Sequence, residues 1–287
     1  MGAAIDVAVA CVRAGVFAAS LQSAGAALFL LLFKRRSAAI EQSVRSLIAW
    51  SAAIAAILIL VRSVLEPARM AGNLSGSVDP FLQSLFWSSD VRVAQTARLA
   101  GVVMLLVTAK VRQPWTGIVW ALAFALVVAS FTLMGHTRAH GGGVALGSLL
   151  AVHLIAVAFW FGALGPLLLL LRNGADEVLL GALGDFSRLA VWLVPVLFTA
   201  GVAMAWILLD SVAALATPYG ILLLAKATGF AGLLALAASN RFRLTPMIAA
   251  GVAHAAIVMR RTVLIELALM LLVFAATAFM TTLFSPT

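Results

Sequence analysis

Histidine and methionine are the side chains whose spacing suggests chemistry. His136 and His140 form a Gly-His-x-x-x-His run, and His153 follows in an apolar segment that continues through Phe159, Trp160, Phe161 and Gly162. Three of the four histidines of the chain therefore fall between residues 136 and 153. Neutral imidazole is the commonest metal ligand, and an imidazole inside an apolar segment leaves its polar atoms unsatisfied unless a partner is supplied. Methionine adds a softer donor set in Met134 and Met204, with Met104, Met270 and Met280 elsewhere in the chain. Thioether suits Cu(I) and imidazole suits copper generally, so copper, as Cu(I) or Cu(II), is the ion these donors favour. Plainer readings stand beside this one. Loop histidines are often only solvated, a span histidine often ties two helices together, and methionine is a routine gap-filler. His254 has no histidine near it and reads as a loop residue.

The elements that must hold these donors follow from composition. The chain is 64% hydrophobic and only 10% charged, with a mean hydropathy of +1.14. A soluble globule of this length has more surface to cover with polar residues than that composition supplies. Repeated apolar runs of about 20 residues match helices crossing a hydrocarbon core roughly 30 Å thick. The expected fold is all-α: one polytopic membrane bundle of eight spans, residues 1–287 forming a single transmembrane domain in contact with the lipid bilayer. The spans run near Ile5–Phe33, Val44–Leu65, Val91–Ala109, Trp115–Met134, Val144–Leu171, Leu189–Leu209, Tyr219–Ser239 and Thr262–Leu283. The first is longer than a signal-peptide core and meets Lys34, Arg35 and Arg36 at its far end, so it is expected to be retained.

Charge then orients the bundle. The net charge of +9 does not point to nucleic acid, because the basic residues cluster between apolar runs. With the N-terminus outside, the inner connections hold Lys34, Arg35, Arg36, Arg45, Lys110, Arg112, Arg172, Arg188, Arg241, Arg243, Arg260 and Arg261, and the outer ones Arg62, Arg69, Arg92 and Arg138. That bias puts both termini on the periplasmic side of a bacterial inner membrane. The lone Cys11 excludes an intramolecular disulfide. Phe81–Trp87 is too short to span and reads as an interfacial piece. The stretch 173–187 reads as a short surface helix on the inner side. No phosphate loop, G-x-S-x-G or HExxH occurs, so no enzyme is expected.

Ionisable residues inside spans usually face the protein interior, where they pair or mark a pathway. Arg13, Arg98, Lys226 and Glu266 are such residues. Gln95 and Arg98 share one face of span three. Asp210 is a candidate partner for Lys226, and Glu266 requires a cation or a bound proton. Structural pairing is the plainer reading of all four.

In sum of order and spacing, these residues resemble the copper resistance protein D family. The resemblance rests on Gly135-His136 closing span four and on His153 with Trp160-Phe161-Gly162 and Gly165-Pro166 in span five. Phe186-Ser187-Arg188, Tyr219-Gly220 with Lys226, Asn240-Arg241-Phe242, and Arg261 with Glu266 continue it. Spans one to three match mainly in hydropathy, Arg98 being the most suggestive residue there. The resemblance implies copper handling, with copper moved across the inner membrane toward the cytoplasm. It carries over His136 and His153 as metal residues, with Trp160 and Lys226 in support; His140 and the methionines come from the side-chain chemistry alone. Some members of the family have a fused or neighbouring periplasmic copper-binding domain. None is read in this chain, so a separate periplasmic copper carrier is the expected partner. Two other functions compete. A b-type cytochrome would need two histidines at matched depth on facing helices, and an assembly partner would handle copper without transporting it.

Overall fold

The computed structural model describes residues 2–88, 90–133, 143–173, 176–209 and 211–284, and within these the chain is helical and free of strands. In order the helices are α1 (Gly2–Leu32), α2 (Glu41–Ala71), α3 (Pro80–Ser88), α4 (Asp90–Thr108), α5 (Thr116–Thr132), α6 (Gly143–Asn173), α7 (Asp176–Leu208), α8 (Pro218–Ser239), α9 (Thr245–Ala249) and α10 (Ala255–Leu283). Seven of them are long and apolar enough to cross a membrane. The eighth, α5, has 17 residues, which at 1.5 Å per residue is about 26 Å. These eight match the predicted spans one for one. The stretch expected to be too short to span is the nine-residue helix α3, with Phe81 exposed and Phe86 buried. Trp50, Ile57, Trp192 and Trp206 lie exposed on the outside of the bundle, where lipid rather than water is the natural solvent.

Three boundaries differ from expectation. Residues 176–188 form no separate surface helix; they are the first turns of α7, continuous with the span. Leu179, Ala182 and Leu183 are buried there, and Phe186 stacks on Phe159 of α6 at 5.0 Å. The apolar stripe that resembled an interfacial helix is therefore committed to the core. Helix α8 likewise continues past Ser239 through a π-helical turn, Asn240–Leu244, into α9. Helix α10 begins at Ala255, seven residues before the predicted Thr262.

Helix α1 is the hub, packed against α2, α5, α6 and α10. Its crossing with α6 is made by two glycines. A Cβ on Gly25 would overlap the carbonyl of Ala158, and one on Gly162 would overlap the backbone of Gly25. Small residues let membrane helices approach to backbone contact where no hydrophobic drive between helices exists. Gln22 reinforces the seam, its Nε2 donating to the Gly162 carbonyl at 3.3 Å. That seam fixes the height and rotation of α6, the helix that carries His153 and Trp160.

Side-chain bonds at one end of the bundle tie together the segments expected to share a membrane face. Arg36 pairs with Asp185 at 3.2 Å, Arg45 donates to the carbonyls of Ala109 and Val111, Arg112 bonds Gln42, and Arg241 bonds the Ser187 carbonyl. At the opposite end, Arg13 of α1 donates to the Thr281 carbonyl of α10 at 3.1 Å.

Candidate functional site

His153 sits ten residues into α6, about 15 Å along the helix. Its ring lies against α7 beside Gly201, where a Cβ would stand in ordinary contact, 3.5 Å from the imidazole Cε1. Nδ1 lies 3.3 Å from the Leu197 carbonyl oxygen. A carbonyl only accepts, so Nδ1 carries the proton and Nε2 keeps a free lone pair. A backbone carbonyl on one ring nitrogen is the usual way a protein fixes the tautomer and rotation of a metal-binding histidine. Leu197, Gly201 and Met204 recur at helical spacing on one face of α7. Met204 is thus one turn from the His153 ring toward the Leu208 end of α7, and it is half-buried.

Lys226 of α8 completes the surroundings. Among the described residues nothing hydrogen-bonds or ion-pairs with it, and its charge reaches His153. Asp210, its predicted partner, lies outside the described residues, as do His136, His140 and Met134. Helices α7 and α8 are not packed along their length; α7 leans on α6 and α8 on α10. They meet through Phe198 and Phe230, stacked at 6.1 Å, and Phe230 also meets the edge of Trp160 at 6.4 Å. Phe230 is one turn inward of Lys226. Trp160 and Phe230 therefore form an aromatic floor beside His153 and Lys226, with the exposed Phe198 at its rim. A small crevice lined by Ala156, Trp160, Leu193 and Leu197 opens between α6 and α7 at the same level.

Below the floor is Glu266, 3% exposed. Trp160 Nε1 donates to its Oε2 at 3.2 Å and Asn240 Nδ2 to its Oε1 at 2.6 Å. Sequence reasoning expected a cation or a bound proton at Glu266; the groups that meet it are two neutral donors. Asn240 and Thr262 were not singled out as functional. The available signal was the Thr262/Glu266 spacing, which puts both on one face of α10. Phe198, Phe230 and the Leu197 carbonyl had no signal in composition at all.

The other predicted residues lie elsewhere. Arg98 of α4 is 1% exposed, donates to the Ser130 hydroxyl at 2.9 Å and stacks over the Phe131 ring at 3.8 Å. Gln95 is buried beside it, as the shared face required. Helices α4 and α6 are not packed together, so Arg98 belongs to a separate polar cluster. Met270 and Met280 are buried, and Met104 packs against the core. His254 precedes α10 and is exposed, so among the described residues no histidine faces His153. No three His, Cys, Asp or Glu side chains converge there either.

Comparison with known families decides what this arrangement belongs to. The profile described as copper resistance protein D-like, N-terminal domain, matches residues 4–147, and that described as copper resistance protein D matches residues 180–280. The chain belongs to the copper resistance protein D family. It is accordingly a multi-pass membrane protein of copper resistance and handling. No curated protein and no solved structure matches it. The family match reaches through the first five helices, where the sequence alone offered little beyond hydropathy. Arg98 lies in the first matched region, and Lys226, Asn240 and Glu266 in the second. His153 and Trp160 fall between the two, on the helix that the Gly25–Gly162 seam anchors.

Proposed function

We propose that the protein moves copper across the bacterial inner membrane, from the periplasmic side toward the cytoplasm, as a transporter and not an enzyme. Both termini face the periplasm, and a separate periplasmic carrier delivers the metal. The observation that supports this reading is the His153 imidazole, held by the Leu197 carbonyl through Nδ1 so that Nε2 is left to bind a metal. Met204 supplies a thioether one turn outward on the facing helix. His136, His140 and Met134 are the outer donors that take copper from the carrier and pass it to Met204 and His153. Single soft donors at successive heights bind weakly enough for the ion to move on. Lys226, a like charge beside His153, keeps the ion from settling there. The rings of Phe198, Phe230 and Trp160 must part to let it through.

Copper analysis of the purified protein tests the site. Wild type and His254→Ala are expected to hold copper stoichiometrically, and His153→Ala and His136→Ala to lose it. If His153→Ala in a folded protein keeps wild-type affinity, the site lies elsewhere. Transport itself is read from cell copper on expression in a copper-sensitive host, and unchanged copper with verified membrane insertion would count against it.

A further inference from the structure

Among the described residues of α6, α8 and α10, Glu266 is the buried ionisable group that the path described above does not use. It lies where α6, α8 and α10 meet, beside the π-helical turn that starts at Asn240. Such turns within membrane helices often mark functional positions. The charged groups on every neighbouring element are turned away. Arg260 and Arg261 on α10 and Arg241 and Arg243 on the π turn are exposed, with Arg241 bonded to the Ser187 carbonyl. Lys226 lies 14 residues up α8 from Asn240, about 21 Å of helix rise. His153 on α6 lies beyond the aromatic floor, and Arg13 on α1 is engaged at the far end of α10. An ionised carboxylate buried without a cation is strongly unfavourable, so this group needs a mobile positive partner.

The hydrogen-bond network around it can serve either protonation state. Thr262 Oγ1 has two acceptors in reach, Asn240 Oδ1 at 2.5 Å and the Met259 carbonyl at 2.8 Å. With Glu266 ionised, Asn240 Nδ2 donates to Oε1 and Thr262 donates to Asn240 Oδ1. With a proton on Oε1, the Asn240 amide turns over. Oε1–H then donates to Asn240 Oδ1, Nδ2 donates to Thr262 Oγ1, and the threonine hydroxyl hydrogen moves to the Met259 carbonyl. One proton is gained at Oε1, no other bond is made or broken covalently, and no buried donor or acceptor is stranded in either state. Trp160 Nε1 donates to Oε2 in both. Thr262 is half-buried one turn of α10 before Glu266, and its hydroxyl donates to the Asn240 amide or accepts from it as the amide turns. Trp160 also belongs to the aromatic floor and shares α6 with His153, so the carboxyl and the copper path touch through one side chain.

We propose that Glu266, with Asn240 as a turning amide and Thr262 as the hydroxyl that serves the amide in either orientation, is a reversible proton site that couples copper movement to the proton gradient. The coupling rests on the transport reading above; the proton site does not. The test uses the full-length protein in vesicles, with copper(I) as the probe and a pH difference of one unit imposed. For one proton per copper, the copper ratio at equilibrium should shift about tenfold per pH unit. Its sign reports whether the two ions travel together or in exchange. Glu266→Gln should move copper with no shift, and a wild-type shift in that variant would overturn the proposal. Should Glu266→Gln fail to fold, Thr262→Val decides, since it keeps the carboxyl but removes the acceptor that the turned Asn240 amide needs: a lost shift supports the proposal and a wild-type shift sinks it. If wild type moves no copper at all, the transport reading fails, and infrared titration of the carboxyl decides the proton site alone. A protonated-carboxyl band that titrates in wild type and is absent from Glu266→Gln supports it, and no titrating band assignable to Glu266 overturns it.

Discussion

In α1, α2 and α4 the buried charges are mostly cationic, and each is held by more than one bond or ring contact. Arg62 donates twice to Glu66, and Glu66 also pairs with Arg69. Arg98 has the Ser130 hydroxyl, the Ser130 carbonyl and the Phe131 ring. In α6, α8 and α10 the ionisable groups stand alone. His153 has one carbonyl, Lys226 has no partner among the described residues, and Glu266 has two neutral donors. A charge fixed by a guanidinium–carboxylate fork is worth most as a brace, since removing one partner strands the other in low dielectric. A lone group with neutral partners costs more to bury, and it is free to change what it binds. The first region therefore reads as scaffold and the second as the working part, joined where Gly25 meets Gly162.

The largest effect is expected at that joint. Gly162→Leu should leave little or no folded protein by size-exclusion analysis, because even a Cβ there overlaps the Gly25 backbone. The cost should exceed the 1–3 kcal/mol typical of ordinary overpacking, roughly, because backbone rather than a side chain must move. A well-folded Gly162→Leu with normal yield would mean that the two regions are not joined at this seam.

Next is a change confined to the scaffold. Glu66→Ala leaves Arg62, 4% exposed, without its carboxylate. Breaking a buried pair in this way costs about 3–5 kcal/mol, so thermal unfolding in detergent should shift clearly downward. Copper affinity of the protein that remains folded should equal wild type. A copper defect without a stability defect would erase the distinction drawn between the two regions.

How much of this was legible beforehand follows the same division. Spans are a property of local hydropathy, so all eight could be placed, and His153 could be singled out because an imidazole interrupts an apolar run. Helix ends were harder. Residues 176–188 look amphipathic, and only the buried Leu179 and the Phe186–Phe159 stack explain why they extend α7. Partners across the bundle were not legible. Trp160 and Glu266 are 106 residues apart, and nothing in one sequence says that Gly25 and Gly162 are the two of its 22 glycines that touch. The carbonyl that holds His153 has no side-chain signature at all.

Within the working region, Lys226→Met sharpens the contrast between bracing and tuning. Among the described residues the ammonium has no partner to strand, and methionine preserves most of the stem's volume, so folding and yield should be close to wild type. Its charge acts on His153 and repels a copper cation held there. Copper affinity should therefore rise on the order of tenfold while copper movement slows, because release from His153 becomes harder. Equal losses of yield and activity would instead make Lys226 a brace like Arg98.

The smallest effect is expected at Met204. Leucine replaces methionine at nearly constant volume, and such exchanges usually cost under about 1.5 kcal/mol, so the half-buried position on α7 should stay folded. What is lost is a thioether, a soft donor that favours Cu(I) over harder ions. The imidazole of His153 keeps its carbonyl partner one turn away, so copper stoichiometry should be unchanged and affinity at His153 nearly so. Copper arriving from the outer side must now cross one turn of α7, about 5.4 Å, without a donor. Uptake into vesicles should slow a few-fold with Cu(I) and hardly at all with Cu(II), the contrast that separates a soft relay from a packing residue. Met204→Ala offers the control. It removes the same sulfur and also volume, so a rate loss shared by both variants belongs to the thioether, and one confined to alanine belongs to packing. Wild-type uptake in Met204→Leu would remove Met204 from the path and leave His153 as the first donor within the bundle.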